Sequence, residues 1–394
     1  MKRNIFLLSS CQALWMSSNS LMIATSFLVG AALAPGGFPA LATVPLGLMF
    51  GMNMLSTIPA SLFMKYAGRR SGFLLGAGLG IAGGAVAATG IAGQSFILFC
   101  IGHGLLGVCG AFAVFYRFAA ADAAAADFKS TAISLVMAGG VVAAFTGPNL
   151  ARATRDWFGG AEFAGGYLAI AILYSVAFAL LWWTRIPRPG MEERAGGGRA
   201  MAAIAAQPAF IVAAAGAMIA YGVMNVLMTA SPLAMQHHGH GFTDAAFAIQ
   251  WHVLGMFAPS FFTGRLIRRC GVLAVMAAGA VLLFAAVTAA YTGTSVAHFW
   301  SGLVLLGVGW NFLYIGGTTL LTEVYRPSEK AKTQGVNDFL VSGATTATAL
   351  STAALYSGLG WHALNLAALP FIGVALLLTL WLLLRRRPWV RAQS

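Results

Sequence analysis

The sequence predicts an all-α membrane protein, with twelve transmembrane helices in two pseudo-symmetric six-helix bundles. Three observations carry this. Hydrophobic residues fill 59% of the 394 positions and charged residues only 8%, against about 25% charged in soluble proteins. Apolar runs of the roughly 20 residues that a spanning helix needs recur twelve times along the chain. The basic residues fall almost wholly in alternate connections between those runs. So few charges cannot cover a water-facing surface, which excludes an ordinary soluble enzyme, a disordered chain and a disulfide-built scaffold.

In order, the runs lie near 5–34, 38–63, 71–91, 95–117, 131–151 and 165–184, then 208–232, 245–263, 272–292, 297–321, 336–358 and 361–384. They are continuous and rich in Leu, Ala and Gly instead of alternating, so barrel strands are excluded. With the N-terminus in the cytoplasm, 21 of the 23 Lys and Arg residues fall on the inside, and only Arg152 and Arg155 outside. Positive charges resist translocation, so the asymmetry places both termini in the cytoplasm. It also reads the net charge of +13 as a topology signal, with no nucleic-acid partner expected. The stretch Leu8-Ser9-Ser10-Cys11 resembles a lipoprotein cleavage box, but the preceding Ile5–Leu8 is too short for a signal peptide. Cys11, Cys100, Cys109 and Cys270 lack any metal or redox spacing and read as small apolar residues.

The one long break, near 185–207, holds Pro187, Pro189, Gly196-Gly197-Gly198, Glu192 and Glu193 and reads as a cytoplasmic linker. It separates an N-terminal six-helix bundle, 1–184, from a C-terminal one, 208–394. The halves echo each other at a displacement of 203 residues: Gly68 with Gly271, Gly76 with Gly279, Lys65 with Arg268, Lys129 with Lys332, Ser130 with Thr333 and Gly140 with Gly343. Duplicated six-helix units are a transporter habit, with the substrate near the bilayer midplane.

Twelve spans split six and six, with basic loops after the second and eighth, resemble the major facilitator superfamily over essentially the whole chain. That family's loop signature runs Gly-x-x-x-Asp-Arg-x-Gly-Arg-Arg. Here the loops read Ser61-x-x-x-Lys65-Tyr66-x-Gly68-Arg69-Arg70 and Gly264-x-x-x-Arg268-Arg269-x-Gly271. The glycine turn and basic tail are kept, but a cation stands at the acidic position in both. In the family that Asp caps a helix N-terminus across the domain interface, where a carboxylate suits the dipole; Lys65 and Arg268 cannot do so. The fourth-helix Arg-x-x-x-Gly becomes His103-x-x-x-Gly107, and the fifth helix keeps Gly147-Pro148 but continues with Ala151-Arg152. The resemblance implies that Lys65, Gly68, Arg69, Arg70, Gly147, Pro148, Arg268 and Arg269 belong to the conformational machinery.

Polar side chains within spans are costly and therefore informative. No carboxylate, Arg or Lys sits deep in a run, which disfavours sugar phosphates, dicarboxylates and strongly cationic solutes. What stands at mid-depth is neutral and aromatic. Gln12, Trp15 and Asn19 share one face at i, i+3, i+7. Tyr221 and Asn225 share another at i, i+4, as do Trp310 and Tyr314 beside Asn311, while Gln250 lies in span eight and Asn53 in span two. Spans one, four, seven and ten line the cavity in the superfamily, so the resemblance points these faces at the substrate. Interhelical hydrogen bonding by Asn and Gln is the competing reading. Three groups are candidates for proton coupling: His103 and His252, able to titrate near neutral pH, and Asp338, one turn inside span eleven. A pair with a loop cation is the structural alternative for Asp338. His237-His238-Gly239-His240 lacks the spacing of a designed metal site, so no metal is expected. Gly78-x-Gly80-x-x-Gly83 lies inside an apolar run with no preceding strand, which reads as close helix packing, not a dinucleotide fingerprint. No P-loop, HExxH or nucleophile elbow is present, so neither an enzyme nor a cofactor is expected.

The sequence thus predicts a secondary or facilitative transporter of the bacterial inner membrane, expected to be monomeric and to work by alternating access on a small neutral or zwitterionic, partly aromatic solute. The rival reading is a non-transporting sensor or scaffold on the same fold.

Overall fold

The structure, a computed structural model, describes residues 2–37, 39–194 and 197–391, with all side chains among them except those of residues 37, 39, 40, 148, 242 and 387–391. The helices run α1 (Lys2–Leu33), α2 (Val44–Ala67), α3 (Arg69–Ala92), α4 (Phe96–Ala113), α5 (Tyr116–Asp122), α6 (Lys129–Ala138), α7 (Gly140–Ala153) and α8 (Ala164–Trp182). Two short helices follow, α9 (Met191–Arg194) and α10 (Met201–Ala205). The rest are α11 (Pro208–His237), α12 (Phe242–Phe257), α13 (Ser260–Cys270), α14 (Val272–Thr292), α15 (Val296–Leu321) and α16 (Lys330–Arg391).

Ten helical stretches among the described residues are long and apolar enough to cross a membrane, or eleven if the pair bent by 41° at Ala258-Pro259 is one span. A proline there removes a helix hydrogen bond and crowds the preceding turn, which accounts for the bend. One stretch, Pro327–Arg386, has 60 residues. At 1.5 Å per residue it would be about 90 Å long, roughly three times a hydrocarbon core. Gly360, at φ 72°, breaks it into two spans. Eleven and this extra one are consistent with the expected twelve-helix layout.

The repeat read from the sequence is visible in the backbone. Gly68 ends α2 and opens α3 at φ 91°, ψ 157°; Gly271 does the same between α13 and α14 at φ 88°, ψ 150°. Only glycine adopts this conformation without strain, so both basic loops keep their glycine while the residues around it diverge.

By contacts the chain divides into two compact units: Met1–Ala123, Gly139–Gly196 and Lys330–Ser342 in the first; Ala124–Ala138, Gly197–Glu329 and Gly343–Ser394 in the second. The division does not follow the linker alone. Residues 124–138 cluster with the later helices and 330–342 with the earlier ones.

Within the first unit the core gathers Leu21, Met22, Met49, Phe99, Leu106, Ile170 and Tyr174. Lipid tails are as apolar as these side chains, so helices associate through close packing rather than water exclusion. The glycines of α3 serve that packing: a methyl on Gly80 would meet the Tyr174 ring at 2.6 Å, and one on Gly84 would meet the Ala171 nitrogen at 2.8 Å. The Gly78-x-Gly80-x-x-Gly83 stretch is a helix contact surface.

Gly107 of α4 gives a direct check. A methyl there would lie 2.3 Å from the Met49 carbonyl oxygen, whereas one on Gly104 would find nothing nearer than 3.9 Å. Gly107→Ala is expected to destabilise by about 1–3 kcal/mol, as overpacking does. Gly104→Ala should leave the thermal midpoint of the purified protein nearly unchanged. Equal midpoints for the two variants would refute the contact.

Candidate functional site

The polar interior of the second unit is built on α11, α13, α15 and the second-unit part of α16. Trp310 and Tyr314, one turn apart on α15, stack at 5.1 Å and 21°. Tyr221 of α11 meets both edge-on, at 5.1 Å and 4.8 Å, and Phe257 closes on Trp310 at 5.6 Å. Trp310 is fully buried, and its indole N–H has no hydrogen-bond partner among the described residues. Tyr221 is half-buried. One turn further on, the Asn225 amide donates to the Thr345 carbonyl at 3.2 Å and the Thr348 hydroxyl at 3.1 Å. The structure therefore brings Tyr221, Trp310 and Tyr314 into one aromatic cluster, with Asn225 beside it.

Asn311 is placed otherwise. Its amide donates to the Met256 carbonyl and the Ser260 hydroxyl, both at 2.6 Å, and accepts from Thr263 at 2.7 Å. It is fully buried and ties α15 to α12 and α13, the interhelical role that competed with substrate contact. Gln250 is half-buried on α12, away from these contacts.

In the first unit Gln12 is buried, and Trp15 and Asn19 are half-buried on α1. A methyl on Gly110 would lie 2.5 Å from the Asn53 amide nitrogen and 3.7 Å from the Trp15 indole nitrogen. Those two polar groups therefore converge on the glycine of α4. Asn53 also accepts from Ser342 at 3.1 Å.

The two histidines differ. The His103 Nδ1–H donates to the Phe99 carbonyl at 3.0 Å, while Nε2 lies 2.7 Å from the Ser26 hydroxyl and 3.1 Å from the Tyr167 hydroxyl. Both nitrogens are engaged, and the network joins α1, α4 and α8. His252 donates from Nδ1 to the Leu303 carbonyl at 2.7 Å, and its Nε2 is buried without a partner among the described residues. Neither forms an ion pair with a carboxylate among the described residues.

Asp338 carries the strongest electrostatics. Its carboxylate accepts from Arg117 at 2.6 Å and from Asn337 at 2.8 Å, with Arg117 2% and Asp338 4% exposed along their side chains. Alongside, Asp122 pairs with Arg69 at 3.2 Å and with Lys330 at 3.3 Å; Lys330 also reaches Glu193 at 2.8 Å, and Arg69 donates to Gln334. These pairs and the Ser61 hydroxyl, which donates to the Ala331 carbonyl at 2.8 Å, hold segment 330–342 in the first unit. The cation at position 65 is no obstacle to holding this segment, because Arg69 and Arg117 act through carboxylates elsewhere.

The counterpart in the second unit, displaced by 203, is uncharged. Ser130 donates to the Gly264 carbonyl and the Gly264 N–H donates to Ser134, both at 3.0 Å. Of the remaining loop and helix positions, Arg70 donates to the Trp182 carbonyl at 2.5 Å and lies over its ring. Arg268 lies 5.7 Å from the Phe128 ring, and Arg269 is exposed. A methyl on Gly147 would meet Ser20 of α1 at 2.4 Å; the side chain of Pro148 lies outside the described residues. Sequence reasoning missed the partners Arg117, Asp122, Ser26, Tyr167, Thr345 and Thr348. Arg117 carried a signal, since it stands at the very end of an apolar run where a purely topological cation would not need to be.

Comparison with known proteins agrees with this architecture. The family model described as Major Facilitator Superfamily matches residues 213–394. The riboflavin transporter RfnT of Brucella anthropi is 42% identical over 390 residues, covering 98% of this chain and 96% of that protein. The uncharacterised MFS-type transporter YdeG of Bacillus subtilis is 30% identical over 386 residues, covering 88% and 89%. Among solved structures, the human organic anion transporter MFSD10 aligns with a TM-score of 0.79 at 15% identity, covering 96% and 99%; FucP in its outward conformation gives 0.74 at 15%, covering 96% and 98%. At such identities the structures speak to fold alone. The chain belongs to the major facilitator superfamily: it is a multi-pass transporter of the bacterial inner membrane, not an enzyme, and works by alternating access on a small-molecule substrate.

The Arg117–Asp338 pair yields a double-mutant test. Asp338→Asn leaves a buried guanidinium without its counter-ion and should cost about 3–5 kcal/mol of stability. Replacing both partners, Arg117→Met with Asp338→Leu, should recover most of it. A double variant no more stable than the single one would show that the pair is not the unit that matters.

Proposed function

We propose that this transporter carries riboflavin or a closely related flavin. The observation that carries the reading is the 42% identity to a riboflavin transporter across nearly the whole of both chains. The chemistry of the interior supports it. Riboflavin joins a tricyclic ring, flat and rich in carbonyl and ring-nitrogen acceptors, to a polyhydroxylated chain, and carries no net charge at neutral pH. Trp310, Tyr314 and Tyr221 offer aromatic faces and edges to such a ring. The unpartnered Trp310 N–H is a donor for a carbonyl or ring nitrogen, and Asn225, Thr348, Asn19 and Gln12 are neutral groups suited to hydroxyls. The buried ion pairs are already matched to each other, so none offers a fixed charge to an anionic or cationic solute. The reading replaces the small solute expected from sequence with a larger one. In it the cation-rich end faces the cytoplasm and the chain acts as a monomer.

Proteoliposomes containing the purified chain should accumulate or exchange labelled riboflavin, with competition by unlabelled flavin and none by a sugar phosphate. Trp310→Ala should raise the half-saturating concentration about tenfold, the scale of one aromatic contact, and Trp310→Phe less. Absence of riboflavin flux and of riboflavin binding in the unmodified protein would reject the assignment.

A further inference from the structure

A second feature of the first unit has no part in the contacts described so far. The far end of α1 from the cation-rich Lys2, the end of α3 and the connection from α7 to α8 line an open-sided cavity of about 640 Å³, within the range of small-molecule sites. Its floor is apolar, with Val29 and Ile91 belonging to the buried core. Its rim is polar: Gln94, and the ion-paired Arg155 and Glu162. The guanidinium of Arg155 lies 5.4 Å from the ring of Phe163, which also lines the cavity. The connection is closed into a loop by the Phe163 N–H, which donates to the Arg155 carbonyl at 2.9 Å.

Gln94 and Phe163 are also the two non-glycine residues with positive φ among the described residues, at 51° and 68°. A left-handed backbone is costly for a residue with a Cβ, and more so for a bulky one. Glycine would relieve it at either position, and Gly93 and Gly160 show that glycine is used in the same turns. Phe163 packs against the core, which partly accounts for its side chain. Gln94 is the left-handed residue that closes the end of α3: the Ser95 N–H donates to the Gly90 carbonyl at 2.7 Å and the Gln94 N–H to the Ile91 carbonyl at 3.1 Å, the usual pair of hydrogen bonds of such a cap. Its side chain is exposed, and its amide makes no hydrogen bond among the described residues. Both residues line the one cavity, Phe163 against its apolar side and the free Gln94 amide at its rim.

We propose that this cavity is a second binding site, separate from the aromatic cluster of α11 and α15, for a neutral amphipathic molecule with a ring and hydroxyls. The charges of Arg155 and Glu162 cancel, so the site selects neither anion nor cation. The apolar floor and Phe163 take the ring, while the Gln94 amide, a donor and an acceptor at once, takes hydroxyls or a ring carbonyl. Resting on the proposed function, the inference makes the occupant the transported flavin itself, held at a capture site. A zwitterionic phospholipid headgroup has related chemistry and is the competing source.

Gln94→Gly tests this with little risk to folding, since it removes an exposed side chain and relieves the backbone. The thermal midpoint should stay level or rise. Riboflavin uptake into proteoliposomes should show a half-saturating concentration raised about three- to tenfold, the scale of one hydrogen-bonding side chain, with the maximal rate unchanged. Fluorescence titration of the purified protein should show two classes of riboflavin site in the unmodified chain and one in Gln94→Gly. A variant that transports and binds riboflavin as the unmodified chain does would overturn the second site. So would unchanged riboflavin binding together with loss of co-purified phosphatidylethanolamine by mass spectrometry, which would assign the cavity to lipid. If the unmodified chain neither binds nor moves riboflavin, the proposed function fails, an outcome distinct from failure of the cavity alone.

Discussion

A buried charge must have a partner, because no water reaches it to solvate it. This constraint organises the chain more than any other. Arg117 and Asp338 are almost wholly buried and pair at 2.6 Å; Arg69 is shared between Asp122 and Gln334. The fully buried Glu329 is gripped by Arg199 through three separate contacts, two from the guanidinium and one from the backbone N–H. All these groups lie near the cation-rich ends of their helices. Once the buried charges are matched there, the middle of each unit is left to amides, hydroxyls and aromatic rings. Within each unit, the neutrality of the interior and the ion pairs near the helix ends are two consequences of one rule.

The same scarcity of water governs how the helices hold together. With lipid on the outside there is little hydrophobic gain in bringing two helices into contact. Close backbone approach at small residues replaces it, and polar side chains add bonds where they can be fully satisfied. Asn311 shows the second device completely: both amide donors and its carbonyl are engaged on α12 and α13. Gly264 shows the two together, since a methyl there would lie 2.5 Å from Thr131 Cα while its N–H and carbonyl bond to Ser134 and Ser130.

Much of the fold was legible because lipid imposes period and length directly on the sequence. Run lengths give the spans, Gly68 and Gly271 give matching turns, and the register of 203 residues reappears in the backbone dihedrals at both turns. Two things were not legible. The two last runs, 336–358 and 361–384, do fall on either side of Gly360, but the bend at Ala258-Pro259, which makes α13 a separate piece, lies inside what reads as a single run over 245–263. More important, sequence spacing reports which residues share a helix face but not which face meets which helix. Trp310 and Tyr314 could be grouped by spacing, but not the Tyr221 of another helix that meets them, and Asn311, one residue from Trp310, points to other helices altogether. The arginine partners of Asp338 and Asp122 come from segments more than 50 residues away along the chain, and no periodicity carries that information.

The aromatic cluster also bears on how a solute would be held. Trp310 stacks on Tyr314, and Tyr221 closes on both. The three rings thus already satisfy one another's faces and edges. Under the proposed function, a flavin gains only the difference between its own stacking and the internal stacking it replaces. Its additional return comes from the Trp310 N–H, which the protein leaves unpaired, and from contacts to the ribityl hydroxyls. A carrier that must release its cargo at each turnover is served by such an exchange, since binding energy beyond what the conformational change needs would only slow release. A fixed charge at this position would act the other way: it would need a counter-ion in the empty state and lose it on binding. Under the proposed function the neutral groups around Trp310 avoid that cost, and Arg117 keeps Asp338 as its counter-ion.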